Sequence, residues 1–395
     1  MHRLFDREQG GFCRLQQSTN VTTERRPSLL FVGAFPPERK RIYGGNVTDC
    51  SVLLQSSFPA LLNLDLIDST QISNPPPPFL IRLFLALRRL LQFLVHFENN
   101  RPDAVLLFTG DGAGLLEKGL MARYAKFRRT KAYLFPRGGE LLSHYKAKGS
   151  VPRWAKSSLW AAEKVFCQGT AMRDLVVDAV GRDIVDTPII PNWTATPALL
   201  ALGNSRCRVG GGQTVRLLFV GWLELEKGIV ELLKAMKAIR EDNEISLTIV
   251  GDGRARNISE EFVKSNNMGS MVTFCGWQVG EELEIRYKEA DIFVLPSWAE
   301  GLPNAMIEAM AAGLCVVVSD VGNIPDVIHD GENGFLVPPK DIERLVSVLK
   351  MVIRELGLRN HAGRLAYETA RDNFVVELTV QRIIKEIFPK EGHPR

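Results

Sequence analysis

Asp291-Ile292-Phe293-Val294-Leu295-Pro296-Ser297-Trp298-Ala299-Glu300-Gly301-Leu302-Pro303-Asn304-Ala305-Met306-Ile307-Glu308-Ala309-Met310 is the stretch whose reading decides the fold. Its apolar run Ile292–Leu295 has no polar alternation and ends at Pro296, as a strand buried on both faces does. Pro303 suits a first helical turn, where its missing N–H is not needed. A loop between a buried strand and a helix start is a ready anion site, and the amides near Asn304 and Ala305 could hold a phosphate or sugar oxygen there. Glu300 falls on the loop and Glu308 about one turn inside the helix. Two carboxylates so placed could grip two hydroxyl-bearing parts of one extended ligand. Spacing alone leaves a capping loop with a solvated Glu equally open.

Working outward, short apolar runs alternate with helix-length stretches throughout the chain. In the second half the runs are Arg216–Gly221, Ser246–Gly251, Met271–Cys275, Asp291–Pro296, Cys315–Ser319 and Gly334–Val337. In the first half they are Leu29–Gly33, Ala104–Phe108, Ala132–Phe135, Lys164–Cys167 and Pro188–Ile190. This pattern predicts an α/β protein of two Rossmann-like, doubly wound parallel-sheet domains facing across a cleft. The expected organisation is an N-terminal extension at 1–26, a first domain at 27–195, a linker at 196–214 and a second domain at 215–372. A C-terminal helix at 373–390 would then be able to cross back to the first domain. The linker reading rests on Gly210-Gly211-Gly212 and the lack of strong periodicity around it.

Other glycine-bearing turns follow the strands. Gly221-Trp222-Leu223-Glu224-Leu225-Glu226-Lys227-Gly228 opens a helix, and Lys227 there can neutralise a diphosphate or simply serve a first helical turn. Tyr43-Gly44-Gly45-Asn46 follows the first strand after a loop. Adjacent glycines let backbone amides approach a phosphate closely, although a plain turn reads as well. Gly251-Asp252-Gly253 is a weaker signal of the same kind.

The 395 residues carry 49 Lys+Arg against 45 Asp+Glu, a net charge of +4, with 45% hydrophobic and 24% charged residues. Such usage excludes a disordered chain, a collagen-like repeat and a coiled coil. The net charge alone makes no case for a nucleic-acid partner. Six cysteines without a C-x-x-C pair read as reduced thiols. Arg3, Asp6, Arg7, Glu8 and Arg14 leave no apolar core for a signal peptide, so the expected location is cytoplasmic. Phe79–Phe97 is rich in Leu and Phe, but Arg82, Arg88 and Arg89 argue against a spanning helix. It reads either as a helix packed on a sheet or as an interfacial helix in peripheral contact with an anionic membrane at the inner face of the cell membrane. The Arg39-Lys40-Arg41 and Arg128-Arg129-Thr130-Lys131 clusters add positive charge to the same half.

Together these motifs resemble glycosyltransferase family four, the glycosyl transferases group 1, retaining enzymes with the GT-B fold. The likeness is densest over 216–341. It runs through the Gly-Trp-Leu-xxx-Lys-Gly start, Ile249-Val250-Gly251-Asp252-Gly253 and Val272-Thr273-Phe274-Cys275-Gly276 to the Glu300-x7-Glu308 element and Asp330-Gly331-Glu332-Asn333-Gly334. Ile189-Ile190-Pro191-Asn192 is similar to the family's linker-proximal Pro-Asn.

The resemblance implies transfer of a sugar from a nucleoside-diphosphate sugar to a glycan or lipid-linked acceptor, with no metal or resident cofactor, in surface polysaccharide synthesis. It places Glu300 nearest the reacting sugar, Glu308 on ribose hydroxyls, Lys227 on the departing diphosphate and Gly44 and Gly45 at the same phosphates. The base would lie near Gly276-Trp277-Gln278. No Asp-x-Asp or His-Glu-x-x-His element is present.

Two departures stand out. Trp222 occupies the position where the family carries Arg, and Arg137, in Phe135-Pro136-Arg137-Gly138-Gly139-Glu140, stands in place of the family's His. Arg137 could restore the lost phosphate charge from across the cleft or bind an anionic acceptor. The same departures leave open a catalytically silent glycosyltransferase-like subunit. A nicotinamide oxidoreductase fits poorly, because Gly110-Asp111-Gly112-Ala113-Gly114 lacks the G-x-G-x-x-G order.

Overall fold

The computed structural model describes residues 25–36, 44–70, 77–206, 214–240 and 244–389. Tyr43, Arg39-Lys40-Arg41, Cys13, Cys207, the 210–212 glycines and most of the expected N-terminal extension lie outside these residues.

Two fully parallel sheets form, as the unalternated apolar runs require. The first contains β1 (Ser28–Gly33), β2 (Asn63–Asp68), β3 (Ala104–Thr109), β4 (Lys131–Pro136) and β5 (Lys164–Val165), in the order β2-β1-β3-β4-β5. The second contains β6 (Val215–Val220), β7 (Ile245–Val250), β8 (Val272–Gly276), β9 (Ile292–Leu295), β10 (Cys315–Ser319) and β11 (Phe335–Val337), in the order β11-β10-β9-β6-β7-β8. Every residue of β3, β9 and β10 is buried, because helices cover both faces.

Three details differ from the sequence reading. Strand β2 was not expected. Its Asn-Leu-Asp-Leu-Ile-Asp alternates like the edge strand it is. Pro188–Ile190 forms no strand, only an isolated bridge from Ile189 to Cys167. Residues expected as the start of a linker form the helix Pro197–Arg206, which is part of the second domain: Leu199 is buried in that domain's core, and the Arg206 guanidinium donates to the carbonyls of Ala290 at 2.6 Å and Ala312 at 3.1 Å.

The last helix, Val376–Ile387, packs on the first domain. Val380, Ile383 and Ile387 join Leu29, Phe31, Phe108, Phe135 and Trp193 in one buried cluster. The Tyr133 hydroxyl donates to the Ile387 carbonyl at 3.2 Å, and Lys164 pairs with Glu386 at 2.6 Å.

Candidate active site

The loops that leave the carboxyl ends of β1, β4, β6, β8 and β9 carry the candidate residues, where open parallel sheets bind ligands. After β6 the chain makes a 3-10 turn, Leu225–Lys227, and then Gly228 at φ +71°. A Cβ on Gly228 would sit 2.0 Å from the Pro296 carbonyl oxygen, so only glycine lets this turn close against the end of β9. The Trp298 amide also donates to the Glu226 carbonyl at 2.7 Å. This contact sets Lys227 beside Glu300, with Nζ 2.6 Å from Oε1. The Ser297 hydroxyl donates to the same oxygen at 2.7 Å. Glu300 is buried, whereas the Lys227 side chain keeps partial access to the cleft.

Glu308 lies in the helix Asn304–Ala311. It is buried and accepts from the Tyr287 hydroxyl at 2.7 Å. Burial pushes its carboxyl up to about 7, against the opposing pull of the Tyr287 hydrogen bond. A carboxylate of this kind is an acceptor starved of donors, and a pair of ligand hydroxyls would satisfy it. Ala305, expected to offer its amide, is partly buried against the second-domain core, and its carbonyl accepts from Tyr287 at 3.4 Å.

Asn304 joins the domains. Its Nδ2 donates to Asp49 Oδ1 at 2.9 Å and to the Gly45 carbonyl at 3.2 Å, while its Oδ1 accepts from Asn192. Asn192 also donates to the Leu302 carbonyl at 2.7 Å, and Gln168 donates to Asn192 at 2.7 Å. Further along this seam, Asp326 accepts from the Thr170 amide at 2.5 Å and Asn323 from the Met172 amide at 3.2 Å. The backbone of Gly139 lies so close to Glu300 that a Cβ there would stand 2.5 Å from its carbonyl carbon.

Arg137 requires a correction. It was expected to reach a phosphate or an anionic acceptor, but it is buried and paired with Asp49. Its guanidinium carbon lies 4.7 Å from the Phe135 ring centroid and 4.8 Å from that of Trp193. Nε and Nη1 are buried without a hydrogen-bond partner, enclosed by these aromatic faces. Burial also raises the Asp49 carboxyl, while Arg137 and the Asn304 hydrogen bond pull it down. In this structure Arg137 therefore acts in the first-domain core, neutralised by Asp49.

Gly44, Gly45, Trp222 and Asn304 converge from the two domains. A Cβ on Gly44 would lie 3.8 Å from Trp222 Nε1, and one on Gly45 3.5 Å from Asn304 Nδ2. Trp222 stands edge-to-face with Trp277, ring centroids 4.5 Å apart at 74°. Sequence reasoning did not single out Asp49 or Tyr287, which had no motif around them. Asn192 was visible through its Pro-Asn pair, but not as the residue that spans the seam. Among the described residues no three His, Cys, Asp or Glu side chains form a group that could hold a metal ion.

Residues 212–369 match the family model described as "Glycosyl transferases group 1". The "Uncharacterized glycosyltransferase MJ1607" of Methanocaldococcus jannaschii is 36% identical over 178 residues, which is 44% of this chain and 46% of that protein. The match therefore spans less than half of the relative's length. The "Lipopolysaccharide core biosynthesis glycosyltransferase LpsE" of Rhizobium meliloti is 24% identical over 300 residues, or 75% of this chain and 84% of its own. The crystal structure of Anabaena Alr3699/HepE in complex with UDP and glucose shares the two-domain GT-B fold. It has a TM-score of 0.66 at 15% identity and covers 92% of this chain and 100% of that one.

Proposed function

From the match of residues 212–369 to the group 1 glycosyltransferase family model, we propose that the protein is a retaining, metal-independent glycosyltransferase of that family. It moves a sugar from a nucleoside diphosphate to a glycan or lipid-linked acceptor of surface polysaccharide synthesis. The first domain receives the acceptor, in peripheral contact with an anionic membrane. LpsE, named for lipopolysaccharide core synthesis, and the UDP-bound fold relative support the acceptor and donor classes.

The observation that carries this reading is the convergence of Lys227 and Glu300 at one end of the loop that leads to Glu308. In the reaction the bond between the anomeric carbon and the phosphate oxygen breaks, and its electron pair leaves with the diphosphate. A bond to the acceptor oxygen forms on the same face of the sugar, and the acceptor's proton leaves with the departing phosphate or solvent. Negative charge grows on the diphosphate and positive character on the sugar. A fixed cation and backbone amides stabilise the first, and a positioned carboxylate the second. Lys227 and the Gly44 and Gly45 amides take the phosphate side, Glu300 faces the sugar, and Glu308 takes the ribose hydroxyls. Trp222 and Trp277 border the nucleotide.

Thermal shift with UDP, GDP and ADP tests the site, since a ligand that binds only the native state raises its melting temperature. A shift with one of them, followed by nucleoside diphosphate release from the matching sugar nucleotide, supports the reading. No shift with any of the three overturns it.

One observation favours a second reading, a catalytically silent subunit. Trp222 is no cation where the resemblance implies an Arg, and Arg137, neutralised by Asp49 in the core, does not restore that charge to the phosphate side. Nucleotide binding without release of nucleoside diphosphate in the presence of acceptor glycans would identify it.

A further inference from the structure

The N-terminal half of helix Phe79–Asn100 stands clear of the first domain. Within the helix only Phe93 and Phe97 are buried, with Leu90 and Leu94 packed partly against the core. Phe79 is 71% exposed, Leu80 76%, Phe84 66% and Leu91 63%. Leu80, Phe84, Leu87, Leu91 and Val95 follow helical spacing, so they form one apolar face. The sheet-packing alternative therefore accounts for the far end of the helix and not for this one.

Neighbouring helices extend the surface. Ala113–Phe127 presents Leu116, Leu120 and Phe127, the last 80% exposed, and Arg153–Ala161 presents Trp154 and Trp160. The three helices are tied side by side. The Arg89 guanidinium donates to both Glu117 oxygens at 2.8 Å, and Arg123 donates to the Ser157 hydroxyl at 2.6 Å. An exposed apolar surface of this extent marks an interaction site.

Charge selects the occupant. Arg82, Arg88, Lys126, Arg153 and Lys156 are exposed on the same three helices. Their acidic residues are committed within the fold, Glu117 buried against Arg89 and Glu98 paired with Arg128. A second copy of this face would set arginines against arginines. A surface with anionic headgroups over an apolar interior complements both features at once. We propose that this three-helix face docks the first domain on an anionic bilayer. Phe79, Leu80, Phe84 and Leu91 enter the headgroup–acyl boundary, and Arg82 and Arg88 meet lipid phosphates. The inference rests on the peripheral-membrane reading above for its partner, but not on the transfer reaction.

Flotation of the full chain with phosphatidylcholine vesicles, with and without an equal share of phosphatidylglycerol, tests it. Binding is expected only with phosphatidylglycerol and at low salt. Arg82→Ser with Arg88→Ser should lower partitioning about 25- to 30-fold, at about 1 kcal/mol per basic residue near an anionic leaflet. Leu80→Ser with Phe84→Ser should abolish it. All four side chains are exposed, so both variants should keep the wild-type melting temperature and the wild-type thermal shift with nucleotide. That shift reports the donor site separately, so either reading can fail alone. The proposal is overturned if the wild-type chain ignores anionic vesicles at low salt, or if both variants bind like wild type. It is also overturned if Leu80→Ser with Phe84→Ser splits a dimer while vesicles are never bound, because a second copy then covers the face.

Discussion

Lys227 Nζ and Glu300 Oε1 are 2.6 Å apart, so the cation proposed for the departing phosphate and the carboxylate proposed for the sugar form one ion pair. Glu300 is held from two sides, by Lys227 and Ser297, which aims it before any ligand arrives. Lys227 must then serve two anions in the complex, and the two residues should act as a unit.

Lys227→Ala is expected to lower kcat/KM by about 100-fold or more, the usual loss when one fixed transition-state donor is removed. Glu300→Gln should lower kcat more than nucleotide affinity. The double variant should be much less impaired than the product of the two single effects. Nucleoside diphosphate release measures all three. Normal kinetics for Lys227→Ala would place the phosphate site elsewhere.

Glu308 gives a pH signature. Its carboxyl is raised to about 7 by burial, so it is largely protonated at pH 6 and largely ionised at pH 8. Ribose hydroxyls donate to the ionised form, and nucleotide affinity should climb through pH 7. Glu308→Gln removes this component and serves as the reference for the nucleotide's own ionisation. Tyr287→Phe removes a hydrogen bond that favours the carboxylate, so the midpoint should move above 7. Affinity measured from pH 5.5 to 8.5 checks the sign, and an unmoved midpoint in Tyr287→Phe would contradict the assignment.

Asp49→Ala leaves the Arg137 guanidinium buried without its counter-charge, which costs about 3–5 kcal/mol. A large drop in melting temperature is expected. Asp49→Leu combined with Arg137→Met removes both charges and should recover much of the loss. If Arg137 instead served the phosphates, Arg137→Met alone would spare stability and abolish nucleotide binding.

Trp222→Arg returns a cation to the phosphate side. It forfeits the edge-to-face contact with Trp277, worth about 0.5–1.5 kcal/mol. The indole also borders Gly44, so the new guanidinium would start from within reach of the proposed phosphate loop. We expect nucleotide affinity equal to or tighter than wild type, with at most a small loss of stability. Calorimetric titration decides, and affinity weakened tenfold would show that the indole itself holds the nucleotide.

The parts of the fold that the sequence makes plain are those buried on both faces. Ile292–Leu295 and Cys315–Ser319 announce themselves because helices cover both sides and every side chain must be apolar. Strand β2 escapes because an edge strand needs only one apolar side. Helix Pro197–Arg206 escapes because its apolar contacts, Leu199, Leu200 and Leu202, crowd into about one turn before Gly203 and the polar head of Arg206, which leaves no extended apolar stripe. At the site, loop residues next to glycines were legible, since backbone approach leaves a mark in the sequence. Arg137 misled because a charged residue after a strand reads as a ligand-facing group. Its counter-charge, Asp49, lies 88 positions away and shows no local signal.

The helix Val376–Ile387 has a consequence for the order in which the protein can be made. It supplies Val380, Ile383 and Ile387 to a core otherwise built from residues before 194. Synthesis runs from the N-terminus, so the second domain is complete while the first still lacks one wall. The first-domain residues of this cluster, translated before the second domain, are therefore the last to reach their final packing. During that interval the nascent first domain leaves one side of this apolar cluster uncovered, a surface that a chaperone would recognise, until helix Val376–Ile387 leaves the ribosome and packs on it.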